Sequence, residues 1–202
     1  MQNPNHKFDD SMEQETVSFQ WRSRGTYKNA FSPMSTMVYV NETDSWFVMG
    51  GHSSRDTNLV YQNRKLKVKA QMPQEKTFFP AVHHRGYIYT FGGYDGYEKT
   101  QLNSCEYYDV KADKWYNSHA PTFKLHQTRS QASACLFDDN VIFIFGGYHK
   151  DEGTLNSIER FEITKKKIVK MDLKIPQPIR RFQSMKISTT KILLIGGLGR
   201  DS

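Results

Sequence analysis

The stretch Val141-Ile142-Phe143-Ile144-Phe145-Gly146-Gly147 sets five apolar residues in succession and closes them with a glycine pair. Apolar residues at consecutive rather than alternate positions describe a strand covered on both faces. Three other runs end the same way: Trp46-Phe47-Val48-Met49 before Gly50-Gly51, Tyr87-Ile88-Tyr89-Thr90-Phe91 before Gly92-Gly93, and Ile192-Leu193-Leu194-Ile195 before Gly196-Gly197. The first glycines stand 42, 54 and 50 residues apart, so the chain repeats. The glycines fit places where neighbouring units converge, because a Cβ there would meet the next backbone or the exit turn needs positive φ.

The second half of each unit repeats as well. Gly92-Gly93 is followed by Leu102-Asn103-Ser104-Cys105-Glu106-Tyr107-Tyr108-Asp109 and then Lys114-Trp115; Gly146-Gly147 is followed by Leu155-Asn156-Ser157-Ile158-Glu159-Arg160-Phe161 and then Ile168. Tyr108 to Trp115 and Phe161 to Ile168 both span seven residues, an interval that fits a strand, a tight polar turn and another strand. In the first unit, Tyr61 to Leu66 is only five residues, which predicts a shortened outer hairpin.

The period of 42 to 54 residues, the glycine pairs and the following Leu-Asn-Ser and Tyr/Phe-to-Trp spacing resemble the kelch repeat of β-propeller proteins. The resemblance covers roughly residues 35 to 197, and is sharpest from Phe79 to Pro121. It implies an all-β fold of four-stranded antiparallel blades, with blades at about 35–73, 79–121 and 129–176 and a partial blade at 180–202. Trp21 precedes Gly50 by 29 residues, so Thr16–Trp21 reads as the last strand of a preceding blade, and residues 1–15 as a poorly ordered segment before the propeller of 16–202. Two architectures are compatible with these ends: an incomplete arc of a larger propeller, which the uncapped ends favour, or a closed four-bladed ring. The short last blade predicts a marginal or self-associating chain.

Composition excludes several classes. No run approaches the eighteen or so apolar residues of a membrane span, and the first residues carry no signal-peptide core, so a cytoplasmic location without membrane attachment is expected. Cys105 and Cys135 occupy apolar strand positions and read as reduced core residues. The 28 basic residues exceed the 21 acidic by seven, but Lys65, Lys67, Lys69, Arg180, Arg181 and Lys165-Lys166-Lys167 are dispersed, which argues against a nucleic-acid partner. The seven histidines lack metal-ligand spacing, no nucleophile elbow occurs, and Glu98-Lys99-Thr100 lacks the glycine and the following helix of a phosphate loop. No catalytic residue, metal or cofactor is therefore assigned.

The longer connections, Tyr94 to Gln101, Asn117 to Gln127, Tyr148 to Thr154 and Asp172 to Gln177, are expected on one side of the blades. Phe78, Tyr94, Tyr97, Arg129, Tyr148, His149, Arg180 and Arg181 fall there, and aromatic and arginine residues dominate protein-binding hot spots. Arg129 and Arg181 read as equivalent positions ahead of first strands. Gly50, Gly51, Gly92, Gly93, Gly146, Gly147, Gly196 and Gly197, with Tyr108, Trp115 and Phe161, read as structural. The family resemblance implies a protein-binding adaptor or scaffold, with ubiquitin-ligase substrate reception and cytoskeletal binding among its forms; the alternative class is a propeller enzyme such as a copper oxidase or sugar epimerase.

Overall fold

The computed structural model describes residues 32–52, 56–117 and 122–200; the expected strand at Thr16–Trp21 lies outside them. Among the described residues three four-stranded antiparallel sheets and, last, a two-stranded one follow in chain order as blades, with a second two-stranded sheet in a hairpin of the third blade. Blade one comprises Thr36–Val40, Ser45–Met49, Asn58–Gln62 and Lys65–Val68. Blade two comprises Ala81–His84, Tyr87–Asp95, Thr100–Asp109 and Lys114–Asn117. Ser133–Asp138, Val141–Phe145, Ser157–Glu162 and Lys167–Lys174 make blade three, and Gln183–Lys186 with Ile192–Ile195 are the described strands of blade four. The shortened hairpin of blade one turns through Asn63 and Arg64, at φ of 50° and 60°, the left-handed pair that suits a two-residue hairpin turn.

Each blade leans its apolar face on the next. Val40, Phe47 and Met49 of blade one bury against Ile88 and Tyr108 of blade two. Tyr89, Phe91 and Cys105 of blade two bury against Ile142, Phe161 and Ile168 of blade three, with Phe123 and Leu125 from the link. Phe145 and Ile158 of blade three meet Phe182, Ile192 and Leu194 of blade four. The seven-residue intervals pair Tyr108 with Trp115 and Phe161 with Ile168 across adjacent strands. Tyr108 lies 5.6 Å from Phe47, and Trp115 donates its Nε1–H to the carbonyl of Ala70 at 2.8 Å, so both outer strands of blade two reach back to blade one. Cys105 and Cys135 are free and buried, and burial pushes both thiols above their ordinary pKa.

Two of the expected long loops are shorter than the sequence suggests. The second and third strands of blade two run on past the glycine pair and still pair at Tyr94 with Gln101 and Asp95 with Thr100. In blade three, Tyr148–His149 pairs with Gly153–Thr154. These segments are ladder-bonded hairpins, because the backbone groups beyond the glycines find partners there. The fourth strand of blade three likewise extends to Lys174, into the expected Asp172–Gln177 connection.

Candidate functional site: the mouth of the arc

The links entering the blades align through their backbone bonds. Gly51 donates its N–H to Lys76 O, Gly93 to Arg129 O and Gly147 to Ile179 O, which makes Lys76, Arg129 and Ile179 equivalent. The next residue of each link bridges the residue that follows a glycine pair: Thr77 with Tyr94, Ser130 with Tyr148, Arg180 with Leu198. His52 bonds Pro33 in the same way in blade one. The links are thus Ser32-Pro33-Met34, Lys76-Thr77-Phe78, Arg129-Ser130-Gln131 and Ile179-Arg180-Arg181, and their three positions do three different things.

The first position points into the blade. Lys76 pairs with Glu106 and donates to Thr90 Oγ1 at 3.1 Å. Arg129 pairs with Glu159 at 2.6 Å and donates to Gly146 O at 2.9 Å and Ser157 Oγ at 3.1 Å. All four ionised groups are at most 2% exposed. Burial draws the Arg129 guanidinium below its ordinary pKa, and Glu159 pulls it back. Such a pair is tolerated in the interior because each charge is matched and hydrogen-bonded.

The third position is left-handed in every blade: Met34, Phe78, Gln131 and Arg181 have φ of 68°, 54°, 58° and 55°. Phe78 N–H bonds Met34 O at 3.4 Å, Gln131 N–H bonds Phe78 O at 2.8 Å, and Arg181 N–H bonds Gln131 O at 2.9 Å. This chain of bonds links four blades at the mouth of the arc. Arg181 then reaches across: its Nε donates to Gln131 Oε1 at 2.9 Å, and its guanidinium lies 5.5 Å from the Phe78 ring. Behind the mouth, a space of about 360 Å³ is lined by the starts of the four inner strands, among them Thr36, Ala81, Ala134 and Gln183.

The expected site residues divide accordingly. Phe78 and Arg181 come together at the mouth. Arg180 lies over Tyr148, 5.1 Å from its ring centre, on the rim. Tyr94 is half-buried in its hairpin, whose tip presents Tyr97 80% exposed; there Asp95 Oδ1 accepts the N–H of Tyr97 and of Glu98. His149 Nδ1 faces the N–H groups of Asp151 and Glu152 within its own turn. The two hairpins touch where Lys150 N–H meets Gln101 Oε1 at 3.2 Å. Arg129 is a correction: it stands two positions before the Arg181 equivalent, which is Gln131, and its guanidinium is consumed inside blade three.

Sequence reading missed Gln131 and Met34 at the mouth and Lys76 in the core. The signal was present in the link spacing once Lys76, Arg129 and Ile179 are aligned, but the residue types at each position differ from blade to blade. Lys166, within the turn between Phe161 and Ile168, is a further residue that sequence reading did not single out. It is half-buried, with its ammonium 4.2 Å from the Tyr107 ring centre and 4.8 Å from that of Tyr89. Burial lowers its pKa and pushes that of Tyr89 up to about 12. Among the described residues, no three His, Cys, Asp or Glu side chains gather as metal ligands, and no helix is long and apolar enough to cross a membrane.

Sequential four-stranded blades around a common mouth define a β-propeller. The family model described as the KLHDC2/KLHL20/DRC7 Kelch-repeats domain matches residues 1–197, and the chain belongs to this kelch-repeat family. It is 29% identical over 131 residues to the Ras guanine nucleotide exchange factor F of Dictyostelium discoideum, a match over 64% of this chain and 11% of that protein. The solved structure titled "Structure of YjhT" superposes with a TM-score of 0.70 at 12% identity, over 86% of this chain and 60% of the other, a likeness of fold. The chain thus spans about a tenth of the curated relative and three fifths of the solved one.

Proposed function

We propose that this kelch-repeat chain is a non-enzymatic protein-binding module, an adaptor or scaffold, whose docking face is the mouth of the arc and the adjoining hairpins. The observation that carries this reading is the quartet Met34, Phe78, Gln131 and Arg181. Its backbone is fixed by hydrogen bonds between blades, so an aromatic and an arginine side chain are held in place before any partner arrives. Pre-organised aromatic and arginine side chains lose little entropy on contact, which is why they dominate binding energy. Tyr97, projecting from the hairpin tip, adds a second anchor point beside the mouth.

The test is affinity capture from lysate with the parent chain and with a Phe78→Ala, Tyr97→Ala, Arg181→Ala variant, followed by mass spectrometry and titration of the recovered partner. A hot spot in this set should weaken the partner by about 2 kcal/mol or more, with the far-ultraviolet dichroism unchanged. Identical partners at identical affinity would overturn the assignment of the face, and sugar or copper-dependent turnover by the purified chain would move it to the enzyme class.

A further inference from the structure

Two equivalent pockets lie where the link entering a blade meets that blade's third and fourth strands, and they differ in charge. One, of about 340 Å³, opens on blade two between Gln74, Ser104, Glu106, Asn117 and Lys124. The other, of about 310 Å³, opens on blade three between Gln127, Ser157, Glu159, Lys170 and Lys174. Lys76 and Arg129 are equivalent, so Gln74 matches Gln127. Each glutamine Oε1 accepts from the serine of its pocket, at 2.8 Å from Ser104 Oγ and 2.9 Å from Ser157 Oγ. Leu125 and Ile175 donate their N–H groups to Asn103 O and Asn156 O, which makes Lys124 and Lys174 equivalent as well. The frame is thus repeated, and the departures from it are cationic. Lys170 pairs with Glu159 across the strands where Asn117 pairs with Glu106, and blade three has His126 where blade two has Pro73.

The floor of the blade-three pocket is neutral. Arg129 and Glu159 cancel, and the N–H groups of His126 at 2.8 Å and Gln127 at 3.3 Å tie the carboxylate further. Above the floor, the Lys170 and Lys174 ammonium groups and the Asn156 side-chain amide have no hydrogen-bond or ion-pair partner among the described residues. One opposing charge stands on the rim: Glu152 accepts from Gln127 Nε2 at 2.6 Å, and its side chain is 60% exposed. Like charges gathered in a cleft raise the local concentration of a counter-ion. Lysines that only kept an outer strand from pairing with another molecule would not need to line one cavity. All the lining residues fall between 126 and 174, within blade three and its entering link.

We propose that this pocket binds a phosphate monoester, with Lys170 and Lys174 facing its charge and the Asn156 amide its third oxygen. Such a group carries about two negative charges near neutral pH and three strong acceptor oxygens, which matches two unpaired ammonium groups and one free amide. Lysine serves phosphate as a point charge, and the cavity of about 310 Å³ is of the size that small-molecule sites occupy. A carboxylate, with a single charge and its oxygens in one plane, leaves part of this set unmatched.

Titration calorimetry of the full chain at low salt, with phenyl phosphate and with succinate, reads the site directly. Phenyl phosphate should bind saturably, and succinate, which spreads the same charge over two carboxylates, about tenfold more weakly. Lys170→Asn, which copies Asn117 of the sister pocket, and Lys174→Gln should each weaken phenyl phosphate about tenfold or more. Thermal unfolding should not change, because both lysines are exposed and unpaired. Glu152→Gln should tighten binding, since it removes a repelling charge from the rim. A Lys65→Gln, Lys67→Gln variant on the outer strand of blade one should bind as the parent does. No saturable binding, succinate as strong as phenyl phosphate, weakening by Glu152→Gln, or equal losses in the Lys170→Asn and blade-one variants would each overturn the proposal. A short phosphoserine peptide that binds more tightly than phenyl phosphate assigns the phosphate to a protein side chain; equal binding assigns it to a free small molecule, and either upholds the site. None of these readouts involves Phe78, Tyr97 or Arg181, so the docking face proposed above stands or falls separately.

Discussion

Blades two and three each hold a buried ion pair between the entering link and the third strand, and the described residues of blades one and four hold none. Where the third strand carries Glu106 or Glu159, the link supplies Lys76 or Arg129. Where blade one has Leu59 in the glutamate position, its link has Ser32; blade four, whose described strands include no third one, has Ile179. In blades one to three base and acid are thus present or absent together, as they must be if an unpaired charge in the blade is worse than no charge. The contrast teaches that the ion pair is optional, since blade one is built with Leu59 and Ser32 at the equivalent positions. What attaches blade one has to come from elsewhere, and it comes from the outer turn of blade two: Asp113 accepts from Ala70 N–H at 2.8 Å and Lys69 Nζ at 3.2 Å, beside the Trp115 bond to Ala70 O.

The largest expected effect breaks that contrast from inside. Glu159→Leu strands Arg129 in the interior and should cost about 3 to 5 kcal/mol in chemical denaturation. Adding Arg129→Ile, which sets the residue type of Ile179 in blade four opposite the leucine that blade one has at Leu59, should recover most of the loss. If the double variant is as unstable as the single, the pairing rule read from blades one to three is wrong.

A middle-sized effect tests the attachment of blade one. Trp115→Ala removes a half-buried indole and its bond to Ala70, and should cost about 3 kcal/mol. Denaturation midpoints equal to those of the parent would show that Trp115 does not hold the two blades together.

The smallest effect sharpens the same contact through pH. Burial alone would raise the Asp113 pKa, but the Tyr108 hydroxyl, the Ala70 N–H and Lys69 outweigh it and hold the carboxyl below its ordinary range. A carboxyl depressed in the folded state adds stability above its unfolded pKa and loses it as pH falls through the folded pKa. With the Asp113 side chain 41% exposed, solvent screening limits this to about 1 kcal/mol. The stability gap between the parent and Asp113→Asn should therefore be full at neutral pH and shrink as pH falls below about 4. A gap independent of pH would assign the effect of the substitution to packing.

Much of this was legible because it is periodic. The glycine pairs and the seven-residue interval from Tyr108 to Trp115 are local, and one blade checks another. The candidate site was less legible, since the mouth residues Met34, Phe78, Gln131 and Arg181 share a backbone conformation but no side-chain type. Arg129 and Arg181 looked equivalent by composition, and only the backbone bonds of the glycine pairs show the offset of two. The hairpins at Tyr94–Gln101 and Tyr148–Thr154 read as loops because their residues are polar, as residues paired on a solvated ladder are.

The sequence by itself determined the blade: strand order, the glycine turn and the large side chains of the outer strands all follow from residues within about fifty positions of one another. Only the tertiary structure decided where the charges go. Whether Arg129 faces a partner or Glu159, and whether Lys170 and Lys174 line a pocket, depends on atoms brought together from separate strands, and the free energy of a charge or an apolar surface is set by that surrounding rather than by its place in the chain.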